Sequence, residues 1–179
     1  MSAYDKIVSV VEQVTTGKKT TQEAIDAIRT EDLTECLFSS AQGDSSGPLA
    51  TGIAASPGAA TGKLCLSVDR VLDTVDAGEK AIMVAMETGP ADEPGMRWSA
   101  GIVTAHGGLA SHAAIYSRGL GLPAVCGVTD LVVQESSITI GSILINEGDV
   151  ISIDGATGEL FKGVIDISEA ETPEELGIL

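Results

Sequence analysis

The sequence predicts an α/β protein preceded by a small helical segment. Before residue 38, apolar side chains recur at helical spacing, as at Ile7, Val11 and Val14. After residue 50, short apolar runs alternate with glycines, of which the chain has 21. This pattern favours strands joined by tight turns. Hydrophobic residues make up 44% of the chain and aromatic residues only 3%, so aliphatic side chains must form most of the core.

The change of pattern divides the chain into four predicted segments. Residues 1–38 form the helical segment, and residues 39–49, rich in Ser and Gly, form a flexible linker. Residues 50–165 form one domain, and residues 166–179 form an acidic tail with little apolar periodicity. A length of 179 residues suits one domain with a small appendage.

Helices and strands are predicted in chain order from the spacing of the apolar residues and from glycine and capping signals. In the helical segment, Gly17 ends the first helix, and Thr21 and Thr30 begin two more. Further along, a short helix or turn is expected over 71–78 and a short helix after Ser111. Strands are expected at residues 63–68, 81–86, 100–104, 121–128, 137–140 and 142–145 and within 147–160.

Composition and charge exclude several classes of protein. No apolar run approaches the ~20 residues that a membrane span requires. A net charge of −16 argues against nucleic acid as a partner, because phosphates would be repelled. The acidity instead favours solubility, or attraction to a basic face of a partner protein. Three cysteines without CxxC spacing, and a start without a secretory pattern, predict a cytoplasmic protein.

Residues 104–118 contain the strongest chemical signal. Gly107 and Gly108 permit a sharp turn, and Ser111 is a good N-cap for the helix that follows. Gly119 and Gly121 supply its stop signal. His112 is thus expected beside unpaired backbone N–H groups at the positive end of a helix dipole. Such a place favours an anion, for which a phosphoryl group is the natural candidate.

This stretch resembles the phosphohistidine signature of the phosphoenolpyruvate-utilising (PEP-utilising) enzymes, such as pyruvate phosphate dikinase and PEP synthase. The signature reads Gly-Gly, any residue, Ser/Thr/Asn, any residue and His, which falls here on residues 107–112. Ala110 departs from it, because the family has a hydroxyl or amide at that position. Weaker likenesses, including residues 87–90, extend the resemblance over about residues 52–163. It implies a compact β/β/α swivelling phosphohistidine domain.

The resemblance also implies roles for individual residues. His112 would carry the phosphoryl group on Nε2, supported by the two glycines, and Thr104 or Ser111 would hold its other ring nitrogen. His106 would contact the phosphoryl group or lie exposed in the turn. Arg118 would reach back to the phosphate or pair with an acidic neighbour. In plant dikinases a regulatory kinase modifies the residue at the position of Ala110, so this switch is expected to be missing.

Other chemistries fit the sequence less well. His106, His112 and Cys126 match no common zinc-ligand spacing, so no metal site is predicted. Ser111 lacks the GxSxG context of a serine hydrolase. The glycine-rich run 52–63 lacks a GxxxxGK[ST] or GxGxxG spacing and is interpreted as a structural turn.

The expected function is that of a phosphotransferase component that is inactive alone. The chain has no room for a nucleotide-binding unit or for a barrel of ~250 residues. It would therefore shuttle a phosphoryl group between an ATP-grasp-type partner and a PEP/pyruvate-binding barrel partner, or a partner that binds another small-molecule acceptor. Mg²⁺, ATP and PEP would bind at the partners' sites, with no cofactor bound tightly here. Two alternatives remain: a non-catalytic binding or regulatory module, suggested by Ala110, and a fragment excised from a larger enzyme, disfavoured by the Met1 start.

Overall fold

The computed structural model describes residues 2–42 and 47–178, so part of the predicted linker lies outside the described residues. Within them the chain divides into two units. One contains the described residues up to Ser40 and from Ser168 onward, and the other spans residues 41–167. Each unit has its own core of buried apolar side chains.

The smaller unit is helical. Its elements are α1 (Ala3–Thr15), α2 (Thr21–Ala27), α3 (Thr30–Leu37) and a 3₁₀-helix (Glu174–Ile178). Ser2 and Thr20 begin the first two helices with reciprocal capping boxes, which satisfy backbone donors that a helix start leaves free. Ile7 and Val11 are buried in the core, and Leu176 of the predicted tail packs against them. The C-terminal residues therefore join this unit, whereas the sequence predicts a separate tail.

A buried carboxylate crosslinks the helical unit. Asp32 is 5% exposed and accepts hydrogen bonds from Arg29 Nε at 3.0 Å and from Lys6 Nζ at 2.9 Å. The hydrogen bonds from Arg29 and then from Lys6 hold the pKa of the Asp32 carboxyl well below its usual range.

The larger unit consists of strands with three α-helices. Two short strands, β1 (Ser40–Ala41) and β13 (Ile167–Ser168), lie where the chain passes between the units. The helices are α4 (Val68–Asp76), α5 (Glu93–Trp98), preceded by a 3₁₀-turn (Pro90–Asp92), and α6 (His112–Leu120). The strands are β2 (Ala50–Thr51), β3 (Ile53–Ser56), β4 (Ala59–Cys65), β5 (Ala81–Ala85), β6 (Gly101–Thr104), β7 (Ala124–Cys126), β8 (Leu131–Val133), β9 (Ser137–Ile140), β10 (Ile143–Asn146), β11 (Val150–Asp154) and β12 (Glu159–Lys162).

The main sheet has eight strands in the order β2-β12-β11-β4-β5-β6-β7-β3. Strands β4 to β7 pair in parallel, and the other neighbours pair antiparallel. The carboxyl ends of β5 and β6 are in register, with Ala85 opposite Thr104. Strands β2 and β3 stand at the two ends of this order, although Gly52 alone separates them in sequence.

Apolar side chains on both faces of the main sheet produce three layers. Alternate residues of β5 point to opposite faces, as the pleat requires. Ile82 and Val84 contribute to a core shared with the small sheet β10-β9-β8, whereas Met83 packs in a second core with α4, α5 and α6. The β/β/α architecture implied by the resemblance is thereby confirmed.

Most predicted strands form, with shifted limits. The strand expected at 63–68 runs instead from Ala59 to Cys65, because Ser67 caps α4 through its hydroxyl. Helix α5 and strands β1, β2, β3, β8 and β13 were not predicted. The run 52–63, interpreted as a structural turn, contains β3 and most of β4. None of the helices in the described ranges has the length and hydropathy to cross a membrane.

Candidate functional site

The loop that leads to His112, residues 105–111, begins where the parallel strands β5 and β6 end. Beyond the last residues of β5 and β6, Ala105 N–H donates to Ala85 O at 3.0 Å, and His106 N–H donates to Met86 O at 2.7 Å. These bonds continue the pairing of the two strands. The chain after β5 therefore runs beside the chain after β6, and residues from both segments can meet.

Gly107 makes the turn that the sequence predicts. Its φ is +115°, and a Cβ at this position would lie 2.9 Å from Ser111 Cβ. Gly127 faces this turn, because a Cβ there would lie 2.6 Å from the Gly107 carbonyl oxygen. Gly108 is outside the left-handed region and has open space around it. Of the two adjacent glycines, Gly107 is thus the one that the backbone requires.

Ser111 caps the helix that His112 begins. The Ser111 hydroxyl accepts a hydrogen bond from Ala114 N at 3.3 Å. The backbone N–H groups of the first turn have no intrahelical partner and face the helix start. At the other end the helix passes through Gly119 and stops at Gly121, whose φ is +67°. The predicted cap is confirmed, and only the second of the two glycines ends the helix.

Three side chains surround the imidazole of His112. Thr88 Oγ1 lies 3.2 Å from Nδ1, and Glu93 Oε1 lies 3.5 Å from Nε2. The Tyr116 ring stacks on the imidazole with a centroid distance of 5.7 Å and an interplanar angle of 22°. The histidine side chain is 28% exposed. The ring is therefore oriented by its neighbours and remains open to solvent on part of its surface.

The ring nitrogen Nδ1 is held by a different residue from the two expected. The Ser111 hydroxyl is engaged with the helix start and lies 3.9 Å from Cys126 Sγ. Thr104 is fully buried, and its hydroxyl has no hydrogen-bond partner within the described residues. Thr88 takes the role because it follows β5, the strand beside the one that leads to His112. The expectation for Thr104 and Ser111 is wrong on this point.

Arg118 and His106 lie away from the imidazole contacts. Arg118 donates from one nitrogen to Ala55 O at 3.0 Å and from the other to Leu109 O. It therefore secures the loop to strand β3 instead of pairing with an acidic side chain or reaching toward His112. His106 is exposed, and the structure gives its side chain no polar contact within the described residues. Only its backbone N–H is engaged.

The contacts of Glu93 and Tyr116 with His112 were not predicted from the sequence, where Tyr116 is notable only as bulkier and more polar than the aliphatic residue usual in the family. Tyr116 stands four positions after His112, so helical spacing alone could have placed the two rings together. Glu93 lacks such a signal because its approach depends on the packing of α5. In the described parts of the chain, no group of three or more His, Cys, Asp or Glu side chains is arranged to hold a metal ion.

The larger unit is thus a three-layer β/β/α domain with a histidine at the head of α6. Residues 77–158 match the family described as PEP-utilising enzyme, mobile domain. This part of the chain belongs to that family.

Comparison with known proteins finds relatives named pyruvate, phosphate dikinase. The chain is similar to the pyruvate, phosphate dikinase of Rhizobium meliloti, with 40% identity over 72% of this chain and 15% of the relative. It is 36% identical to that of Rickettsia conorii over 98% of this chain and 20% of the relative. A solved N-terminal domain of Enzyme 1 - Nitrogen shares 27% identity over 61% of this chain and 40% of that one, with a TM-score of 0.36. The chain thus spans a fifth or less of these curated relatives.

Proposed function

We propose that His112 carries a phosphoryl group on Nε2. The contact between Thr88 Oγ1 and Nδ1 at 3.2 Å supports this most directly. It engages Nδ1 and leaves Nε2 as the nitrogen for the phosphoryl group, provided that the partly exposed Glu93 carboxylate beside it moves away. An imidazole is suited to this task because it is nucleophilic near neutral pH.

The transfer itself is a substitution at phosphorus. The lone pair of Nε2 forms the new N–P bond, and the bond from phosphorus to the donor's leaving group breaks with its electron pair on that group. In the reacting tautomer Nδ1 carries the proton, and this N–H donates a hydrogen bond to Thr88 Oγ1. The hydrogen bond stabilises the positive charge that develops on the ring. Backbone N–H groups at the start of α6 favour the phosphoryl oxygens. In transfer to the acceptor, a nucleophile of the acceptor forms the new bond to phosphorus, and the N–P bond breaks with its electron pair on Nε2.

The donors and acceptors bind to other domains. The curated relatives are named pyruvate, phosphate dikinase, and this chain covers only a fifth or less of their length. By analogy, the carrier exchanges its phosphoryl group with an ATP-grasp-type nucleotide-binding unit and with a PEP/pyruvate-binding barrel. Mg²⁺, ATP and PEP bind at those sites, and the carrier by itself completes no turnover. Its contribution is positioning, which is most of what phosphoryl transfer requires from a protein.

The departure at Ala110 is compatible with carriage. Ala110 is exposed and lies outside the group of side chains that contact His112. A missing hydroxyl there therefore leaves the contacts to Nδ1 and Nε2 intact.

Intact mass at alkaline pH tests the proposal, because phosphohistidine survives there and is lost in acid. The protein is isolated from the cells that encode it after they have been supplied with PEP. One phosphoryl group is expected on the wild type and on a His106→Ala variant, and none on His112→Ala. Absence of the group from all three proteins, while the partner domains are active, would support a non-catalytic binding module instead.

A further inference from the structure

Glu93 places a carboxylate against Nε2, the ring nitrogen of His112 that Thr88 does not contact. Its Oε1 is 3.5 Å from His112 Nε2, and its side chain is 44% exposed. Glu93 is the first residue of α5, and its carbonyl oxygen accepts a hydrogen bond of 3.5 Å from the Tyr116 hydroxyl. The Tyr116 ring in turn stacks on His112. The backbone of Glu93 is thus fixed relative to the imidazole, while the carboxylate has solvent to move into.

Within residues 2–42 and 47–178, His112 is the only basic side chain that lies within 4.0 Å of this carboxylate. Arg118 directs its guanidinium to two carbonyl oxygens. Arg97, one helical turn after Glu93, forms no ion pair or side-chain hydrogen bond in these ranges. The charge beside Nε2 is therefore negative and locally uncompensated.

We propose that Glu93 is a positioning residue that masks Nε2 in the unphosphorylated protein and lowers the stability of the phosphorylated one. The inference rests on the proposed role of His112 as a carrier. In the unphosphorylated protein the carboxylate favours the tautomer with a proton on Nε2 by accepting a hydrogen bond from Nε2–H, so the lone pair needed for attack is occupied. For transfer, the Nε2–H proton leaves to solvent through Glu93 while Nδ1 takes up a proton from solvent, which gives the tautomer with Nδ1–H facing Thr88. The Nε2 lone pair then forms the N–P bond as the donor's bond to phosphorus breaks.

The negative charge of Glu93 is the reason that the phosphorylated protein is expected to be less stable. A phosphoryl group carries a charge of about −1.5 to −2 near neutral pH. It would occupy the space now held by the Glu93 carboxylate, which must rotate away. Because the carboxylate is half-exposed, water and salt weaken the remaining repulsion without abolishing it. Glu93 therefore biases the carrier toward passing its phosphoryl group on.

The test uses small molecules, so it requires no partner. In a His106→Ala background His112 is the only histidine, because the chain contains two. Potassium phosphoramidate phosphorylates histidine directly, with ammonia as the leaving group. Excess imidazole is then added as acceptor, and phosphorus NMR at alkaline pH measures phosphohistidine against phosphoimidazole. Glu93→Gln removes the charge at nearly constant size, and Glu93→Asp retains it on a shorter side chain.

We expect Glu93→Gln to shift the equilibrium toward phosphohistidine by about three- to tenfold, consistent with like charges close together at a partly exposed site. High salt should reduce this difference, and Glu93→Asp should lie between the two. The matched control is Glu135→Gln, which removes an exposed carboxylate without hydrogen bonds in the described residues and should behave like the wild type. Nitrogen NMR should also show a changed Nε2 resonance in Glu93→Gln alone.

The outcomes separate this inference from the proposed function. If His112 is phosphorylated on Nε2 but Glu93→Gln and Glu135→Gln give the same equilibrium, the masking role is wrong and the carrier stands. If His112 fails to accept phosphate in every variant, both are overturned. A circular dichroism spectrum and melting temperature equal to those of the wild type establish that each variant is folded, and Glu93→Asp provides a second comparison.

Discussion

Thr88 Oγ1 lies 3.2 Å from His112 Nδ1, although the two residues are 24 positions apart in sequence. The contact exists because β5 and β6 are parallel neighbours and both chains turn outward at the same end of the sheet. One short polar side chain thereby selects which imidazole nitrogen faces inward.

Replacing Thr88 by Val removes this hydrogen bond at nearly constant volume. Because a hydrogen bond contributes about 0.5–1.5 kcal/mol, phosphorylation of His112 by phosphoramidate should slow by about two- to tenfold. Thr88→Ser keeps the hydroxyl and should retain most of the rate. Phosphorus NMR follows both variants, and equal rates for Thr88→Val and the wild type would contradict the assigned role of the hydroxyl.

Gly107→Ala should destabilise the larger unit by about 1–3 kcal/mol, because it forces an L side chain into a left-handed conformation beside Ser111. Gly108→Ala is the matched control. It meets nothing within 4 Å and should change the free energy of unfolding by only about 0.5 kcal/mol or less. Urea unfolding measured by circular dichroism compares the two, and similar losses would mean that the turn tolerates a side chain at Gly107.

Arg118→Gln should loosen the loop that precedes α6. The variant loses the donors that now reach Ala55 O and Leu109 O. Backbone amides of residues 107–111 should therefore exchange with solvent faster, by about tenfold if roughly 1.4 kcal/mol of local stability is lost. Arg97→Gln removes an exposed arginine without such bonds and should leave exchange unchanged. Protection preserved in Arg118→Gln would show that the loop is held by its glycine turn alone.

The helical unit should lose stability in acid through Asp32. Its folded-state pKa is lowered by Arg29 and Lys6, so the carboxylate stabilises the fold at any pH above the unfolded-state value of about 3.9. The contribution falls as pH drops below that value and disappears as pH passes through the folded-state pKa. Amide resonances of α1 and α3 report the transition. Asp32→Asn should be less stable at neutral pH and should show a weaker acid dependence, and an unchanged acid transition would contradict the assignment.

The sequence was sufficient to predict those elements that depend on residues close together in the chain. The buried run of β5 and the cap at Ser111 were predicted because apolar period and capping preference act over a few residues. Helix α5 was missed because Pro94 and Gly95 resemble a break, although proline is tolerated in the first turn of a helix. Its central residues, Gly95 and Met96, are buried, and a Cβ on Gly95 would contact Val68 and Met83.

Only part of the candidate site could be predicted, because some of its residues are distant in sequence. Gly107, Ser111 and His112 are neighbours in sequence, so one motif contains them. Thr88 and Glu93 reach the imidazole through the parallel pairing of β5 with β6 and the placement of α5, which no short pattern specifies. Residues 87–90, which follow β5, were recognised as similar to the family. Their proximity to His112 became clear only from the order of the strands in the sheet.

The segment 50–56 supplies both outer strands of the main sheet, β2 pairing with β12 and β3 pairing with β7. An open sheet normally offers two rows of unpaired backbone groups on which another chain can add a strand. Here one continuous ribbon, bent at Gly52, covers both. A protein that began after residue 56 would expose β7 and β12 together and would be prone to polymerise edge to edge. This ribbon therefore protects the domain from sticking to its own copies.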